Sequence, residues 1–576
     1  MSHATSAFKS IFKKALPAVC LSLLVPSVGF SDDVVDVDSE TFFEVDVIRE
    51  QKDKQAALWS WLQDRQADHA IFGEIRAELG EDGRRRLMSG SEAAPNQKYL
   101  VGLQVPVTKA VSLGPDALFS KSGRVGIYQL DPQDMIWTTS IESPGASGLR
   151  VHFTDMSLPD GAELYLYNDD GQAFGPFTGL GPNGDGDFWS NAIFGEHVWV
   201  QVHGAGPQAG TGFVIDEVSH LGPGFEIADT AGAYLKADCS ANVSCVENAE
   251  CYDMDSILSS ARRGVAKMVF QENGGSYLCT GGLLSDQDSG YTPWFLTANH
   301  CIDSETVANS LETFFQYKSS CGSCSASYVD SVLGADLWAT GTGGDFTLLE
   351  LSELPSSWTM MGWTNAKVTA GTQLYRISHP NGKPQSLSEH SANSDTSNNW
   401  ISSKATLGAT EGGSSGSPVF RSDRKVVGQL RGVTYSGSYD LCDYSTYNNR
   451  DGALSAYWKS VKAYLSTQSA SMHADSVSAG TATLDLIVTK LYRGKATIKV
   501  VDQLGNAVPK VTVTGTFSNG LSGTLSGVTN DSGVATIVHP DLKSSKPSYT
   551  FCVTGMSQQY FSTYDASANV ATCASR

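Results

Sequence analysis

The chain has 576 residues, more than a single core accommodates, and its length implies about three to four domains. A formal net charge of −21 argues against a nucleic-acid partner, which needs clustered Lys and Arg. Charged residues make up only 18% and glycines number 57, a balance that favours many short strands and turns over long helices.

Lys9, Lys13 and Lys14 precede the apolar run "ALPAVCLSLLVPSVGF", and an acidic stretch follows. A basic start, a short apolar middle and small residues describe a secretory signal peptide over residues 1–31. The run is too short and too Pro-interrupted for a stable membrane span, and no second candidate exists. The expected location is outside the cell, or the periplasm in transit, with no membrane attachment after signal removal. Ten of the eleven cysteines lie beyond this segment. In an oxidising compartment they are expected to pair. A zinc site at Cys321-Gly-Ser-Cys324 would need a second ligand pair nearby, and none has suitable spacing. No metal or organic cofactor is expected.

Residues 40–80 carry apolar residues at helical intervals, and "EDGRRRLMSG" reads as an exposed, flexible joint. From about 97 to 220, segments such as "KYLVGLQVPV" and "HVWVQVHG" predict a cysteine-free β-sandwich. Its loop with Asn183, Asp185 and Asp187 resembles the start of a calcium loop but lacks the glycine and closing glutamate, so a plain turn is expected. From 234 to 467 runs a cysteine-rich segment of short strands that closes on a helix, "SAYWKSVKAYLSTQ". Residues 468–480, small and polar, read as a linker. Residues 481–576 predict a second small β domain, with strand pairs around Gly505-Asn506 and around Asp531-Ser532-Gly533. This last domain resembles the immunoglobulin-like modules appended to secreted bacterial proteins.

Three stretches of the middle segment carry chemistry. "WFLTANHCI" brings a strand to His300, "GGDFTLLEL" takes a Gly turn through Asp345 into a strand, and "EGGSSGSPVF" sets Ser414 and Ser415 among glycines. A serine hydroxyl needs a base, neutral imidazole can serve, and a buried carboxylate fixes its tautomer. Glycines let backbone N–H groups converge where negative charge develops on the substrate oxygen.

"LTANHC", "DFTLLEL" and "GSSGSP" together resemble the chymotrypsin-like serine proteases of bacteria, closest to the lysyl endopeptidase family, over about Cys239 to Trp458. The resemblance implies a double β-barrel, with His300 as base, Asp345 as its partner and Ser415 as nucleophile. It puts oxyanion donors at the Gly413 and Ser415 amides. Leu430, Arg431 and Gly432 would form the strand that pairs with substrate. The family's pocket carboxylate falls near Asn449, with Asp451 two residues on as its replacement and Asp443 in reserve. Arg431 replaces the family's histidine. The resemblance also pairs Cys239 with Cys442, Cys245 with Cys321, and Cys279 with Cys301. Cys251–Cys324 and Cys552–Cys573 take the remaining cysteines, and an exchange of Cys245 and Cys251 stays open.

The expectation is thus a mostly β, secreted serine endopeptidase that cuts peptides and proteins, made as a zymogen. Residues 32–233 are its pro-region, acting as intramolecular inhibitor or chaperone, and a cut near Lys236 frees residues 234–467. The enzyme is expected to be a monomer that cleaves after Lys or Arg. Two other classes compete. One is an inactive protease-shaped binding or adhesion protein, which a lost triad member would favour. The other is an α/β-hydrolase esterase, against which the His, Asp, Ser order stands.

Overall fold

The computed structural model describes residues 34–576 apart from 44, 69–73, 91–97, 113–126, 132–133, 205–211, 223–224, 226–243, 253–255, 288–289, 324–325, 467–470, 486–489, 503–504, 531, 559–560 and 562. The expected signal peptide and the junction around Lys236 lie outside these residues. Among the described residues, no helix is long and apolar enough to cross a membrane.

The N-terminal β region is a two-sheet sandwich. One sheet holds Asp134–Glu142, His197–Gly204, Glu163–Tyr167 and Ala173–Phe177; the other holds Gly148–Ser157, Gly212–Leu221 and Tyr99–Ser112. Period-two alternation turns Val151, Phe153, Leu164, Leu166, Val200 and Phe213 into the shared core, as expected of half-buried strands. The helix Val45–Asp68 lays Leu58, Trp59 and Leu62 on Tyr165, Tyr167 and Trp199. The stretch expected as a joint is instead the helix Glu81–Gly90. Glu81 and Asp82 in its first turn complement the helix dipole, and Leu87 anchors it in the sandwich core. The Asn183 loop closes as a turn, with Asn183 donating to the Asp187 carbonyl (2.7 Å) and the Asp187 amide donating to Asp185 (3.0 Å).

The middle segment is two barrels. In the second, Val426–Tyr435, Pro418–Arg421, Gln373–Ser378, Ser386–Ala392, Trp400–Leu407 and Tyr447–Ala453 pair in turn, and the last returns to the first, so this barrel is closed. The first is open. It runs from Ala335–Gly341 through Phe346–Leu351, Trp294–Ala298, Gly275–Leu283, Val265–Glu272 and Glu312–Phe315 to Asp330–Leu333. Its strand Gly275–Leu283 also pairs with Tyr99–Ser112, so one sheet runs from the N-terminal sandwich into the first barrel. The helix Leu454–Leu465 closes the segment and buries Tyr457, Val461 and Leu465.

The C-terminal domain is a sandwich of two four-stranded sheets around Ile498, Val500, Val513, Phe517, Ile537 and Phe551. The expected linker is largely strand: Ser471–Asp485 pairs along its length with Lys490–Asp502. Met472 and Ala474 are buried there, so small residues mistaken for a spacer are core. Both expected strand pairs cross between the two sheets instead of forming hairpins. Lys490–Asp502 and Val534–Val538 share one sheet, and Thr512–Ser518 and Gly523–Val528 share the other.

Four disulfides lie among the described residues. Cys279–Cys301 and Cys552–Cys573 join the expected partners. The Cys245 and Cys442 partners differ from expectation, while Cys251–Cys321 is the partner that an exchange of Cys245 and Cys251 left open. Cys245 bonds Cys442, not Cys321, which also removes Cys239–Cys442; Cys251 bonds Cys321, not Cys324. Asn248 donates its amide to the carbonyls of Ser319 and Ser320, a contact across 71 and 72 residues of chain that sets the turn Ala249–Tyr252 opposite Cys321. Cys239 and Cys324 lie outside the described residues.

Candidate active site

The site lies where the two barrels meet. Strand Trp294–Ala298 delivers His300, and Asp345 ends the tight turn before Phe346–Leu351, with which that strand pairs. Asp345 has φ 53°, a left-handed backbone that an aspartate tolerates better than a β-branched residue would. Its carboxylate accepts twice from His300, at Oδ1 from the backbone N–H (2.9 Å) and at Oδ2 from Nδ1 (2.7 Å). Asp345 is buried. Nδ1 therefore carries the proton, and Nε2 keeps its lone pair on the other side of the ring. The Gln429 amide clamps the turn by donating to the carbonyls of Gly344 (2.8 Å) and Asp345 (2.9 Å), while its own oxygen accepts from Tyr457 (2.5 Å). The sequence reading missed Gln429 and Tyr457. Their only local signal is a polar residue within an apolar strand and a tyrosine in an amphipathic helix.

The serine loop is held from both barrels. Thr280 donates its backbone N–H to the Ser415 carbonyl (2.8 Å) and its hydroxyl to the Gly413 carbonyl (2.8 Å), and Gly416 donates to the Leu430 carbonyl (2.8 Å). Thr280 follows Cys279, whose bond to Cys301 ties this strand to the histidine loop. Gly416 fits against Thr297 and Ala298: a Cβ there would lie 2.2 Å from Thr297 Oγ1 and 2.4 Å from the Thr280 carbonyl. Ser415 thus sits against the strand that carries His300. Among the described residues, the Gly413 and Ser415 amides donate to no protein acceptor. Gly413 has φ 88°, where an L side chain is strained, and its position also leaves no room for a Cβ, which would meet the His379 carbonyl at 2.8 Å. Ser414 is fully buried, and its hydroxyl accepts from Ser378 (3.1 Å).

The pocket carboxylates expected from sequence are elsewhere. Asp451 pairs with Arg376 at 2.7 Å, and neither side chain has any exposure. A buried carboxylate with its own internal cation has no charge to offer a second one. Asp443 is exposed and caps its own turn by accepting from the Ser445 amide (3.0 Å) and hydroxyl (2.7 Å). Asn449 is buried behind the serine loop, accepting from Thr410 (3.3 Å) and donating its amide to His390 Nδ1 (2.8 Å). Burial pushes His390 well below the usual histidine range, with the Arg376 charge adding to the effect, so it is neutral. Leu430 and Gly432 lie on Val426–Tyr435 with a bulge between them, and Arg431 occupies that bulge. Arg431 Nε lies 3.3 Å from Asp345 Oδ2. Cys279, His300 and Cys301 group closely enough to suggest a metal site, but both sulfurs are in one disulfide and offer no thiolate.

This chain is a serine-type endopeptidase. Residues 236–452 match the family model described as lysyl endopeptidase, C-terminal domain. A lysyl endopeptidase of Pseudomonas aeruginosa is 28% identical over 352 residues, covering 56% of this chain and 74% of that protein. A secreted RxLR effector protein of Plasmopara viticola is 25% identical over 316 residues, covering 49% of this chain and 74% of that protein. Among solved structures, the active form of a protease from M. tuberculosis aligns with a TM-score of 0.26 at 11% identity, over 38% of this chain and 90% of that one. The thermostable serine protease AL20 from an extremophilic microorganism aligns with a TM-score of 0.25 at 15% identity, over 35% and 99%.

Proposed function

We propose that the protein is a secreted endopeptidase, made as a zymogen, that cuts peptide bonds through His300, Asp345 and Ser415. The observation that carries this reading is the ordered pair His300–Asp345 beside a serine loop with two undonated amides. His300 Nε2 takes the Ser415 proton as Oγ attacks the scissile carbonyl, and Asp345 stabilises the imidazolium. The Gly413 and Ser415 amides receive the oxyanion. His300 then gives the proton to the departing amine, leaving an acyl-serine. Water, deprotonated by the same nitrogen, releases the acid and restores the serine.

The domain reading follows the same proposal. Residues 32–233 serve as pro-region, 234–467 as protease, and the remainder as an appended β-sandwich whose strands begin at Ser471. The pro-region covers the site in a specific way. Its strand Tyr99–Ser112 occupies the edge of Gly275–Leu283, with Tyr99 opposite Leu278, one residue before Cys279. Gly412, beside the oxyanion loop, faces the Tyr99 ring: a Cβ there would lie 3.4 Å from Tyr99 Cδ2. An extended substrate leaving the site past the disulfide needs that same strand edge. The secreted monomer becomes active when the chain is cut near Lys236 and this strand is released.

Cleavage after Lys or Arg has no support from Asp451 or Asp443. With Asn449 satisfied by neutral partners, the pocket behind the serine is proposed to take an uncharged residue before the cut. Leu430 and Gly432 supply the backbone that aligns it. The test of self-activation is mass spectrometry of full-length Ser415→Ala secreted alone. Uncut protein near Lys236 supports cleavage by its own site; a cut chain assigns the step to another protease.

A further inference from the structure

We infer that the enzyme reads the substrate just beyond the cut, as a basic side chain followed by an aromatic one, in two subsites that Lys98 and Tyr99 of the pro-region fill in the uncut chain. This deepens the catalytic and pro-region reading above and rests on it. Chain direction is the first observation. Strand Gly275–Leu283 runs toward the site, where Thr280 supports the serine loop. Tyr99–Ser112 pairs with it antiparallel, with Tyr99 opposite Leu278 and Leu103 opposite Gly275. Rising residue number on the pro-region strand therefore leads away from the serine. The half of a substrate beyond the scissile bond also leaves the serine in the order of its numbering. The pro-region thus lies on this edge in the sense of a leaving segment.

The side chains at its site end are each received by the protease. Alternation along an extended chain sends neighbours to opposite faces. Lys98 pairs with Glu272. Its ammonium lies 5.1 Å from the Tyr277 ring centroid and 5.7 Å from that of Phe270. A carboxylate beside two aromatic rings is a receptor for an ammonium or a guanidinium. Burial lowers Lys98 below the ordinary lysine value, and the charge of Asp303 works against that shift. Asp303 is on the loop that carries His300, so this subsite adjoins the catalytic residues. Tyr99 is buried on the other face, against the serine loop. A Cβ at Gly412 would lie 3.4 Å from Tyr99 Cδ2 and 3.7 Å from Tyr99 Cβ, so the ring packs where residue 412 has no side chain. Glu272, Phe270, Tyr277, Asp303 and Gly412 all belong to the protease segment and remain when the pro-region leaves.

The test uses enzyme matured from the full-length chain and internally quenched peptides that share every residue up to the cut. The two residues after it are Lys-Tyr, Glu-Tyr or Lys-Gly, and mass spectrometry confirms the bond cut in each. The Lys-Tyr peptide is expected to exceed both others in kcat/KM by about tenfold, the scale of one charge-assisted contact and of one packed aromatic ring. Glu272→Gln is expected to bring the Lys-Tyr to Glu-Tyr ratio down to about threefold or less. Gly412→Val fills the space the ring uses and is expected to do the same to the Lys-Tyr to Lys-Gly ratio. Parent rates indifferent to these residues would overturn the inference without any variant having to fold. A preference that its own variant leaves unmoved would overturn the subsite concerned. Ser415→Ala measured alongside keeps the two readings apart: cleavage surviving there removes the catalytic reading, whereas Ser415-dependent cleavage indifferent to the residues after the cut removes only this one.

Discussion

In the proposed reading, Asn449 is the side chain that lines the pocket for the residue before the cut. Its amide oxygen and nitrogen are both used, by Thr410 and by a neutral His390, so it presents no charge. A substrate cation buried there would stand unpaired, which is very costly. Asn449→Asp places a carboxylate in this position without changing side-chain volume much. The expected result is a rise of at least about tenfold in kcat/KM for lysyl peptides relative to the parent, since a charge-assisted hydrogen bond is worth roughly 1.5–3 kcal/mol. Steady-state kinetics on paired lysyl and leucyl peptides checks it. A variant that leaves the lysyl-to-leucyl ratio unchanged would show that Asn449 does not face the substrate.

At the scale of elements, the serine loop works because a strand from the other barrel supports it with no space between. Gly416 has φ 82°, and its Cβ position is already filled by Thr297 and Thr280. Gly416→Ala should therefore destabilise by roughly 2–3 kcal/mol through overpacking and strain. It should also lower kcat far more than KM, because Ser415 and its amide move together. Urea unfolding and kinetics on the same preparation separate the two effects; wild-type stability with wild-type kcat would contradict the packing described. The local parts of this arrangement were legible in sequence. "TANHC", "DFTLLEL" and "GSSGSP" place His300, Asp345 and Ser415 beside strands, and the fold class follows from short apolar runs between Gly, Pro and Asp turns. What escaped was non-local. Asp451 and Arg376 are 75 residues apart, and nothing near either of them shows that they form a sealed pair. The Cys245–Cys442 bond joins residues 197 apart, and nothing near either cysteine marks the other as its partner. The strand at Ser471 failed for a different reason, since Ala, Ser and Gly look alike in a spacer and in a tightly packed strand.

Across the whole molecule, three buried histidines link stability to pH. Burial lowers His379 to about 3 and His220 to about 4, and His390 also lies well below the usual value. All three are neutral in the folded protein, whereas the unfolded chain binds protons near pH 6.5. Above that pH neither state is protonated and their contribution is fully present. As pH falls below it, the unfolded state gains protons the folded one refuses, and stability is lost until the folded values are reached. Each such histidine costs about 1.4 kcal/mol per pH unit well inside that window. The urea midpoint of Ser415→Ala protein, which cannot digest itself, should fall between pH 7 and pH 5.5. A midpoint that is constant or rising over that range would mean that these histidines take up protons in the folded state. His379 connects this to the site, since its carbonyl packs at the Gly413 position and its amide donates to Thr280 Oγ1 (3.1 Å).

Ser415, and not its neighbour, is the proposed nucleophile. Processed enzyme treated with an organophosphonate fluoride, digested and sequenced by mass spectrometry reads this directly. A phosphonyl group on Ser415, with none on Ser414, is the predicted result. The Ser414 hydroxyl accepts from Ser378, whereas Ser415, though also buried, adjoins the strand that carries His300 and has its own amide and that of Gly413 beside it without protein acceptors among the described residues. Label on Ser414 in the folded enzyme, or an active enzyme that takes no label at Ser415, would contradict the account.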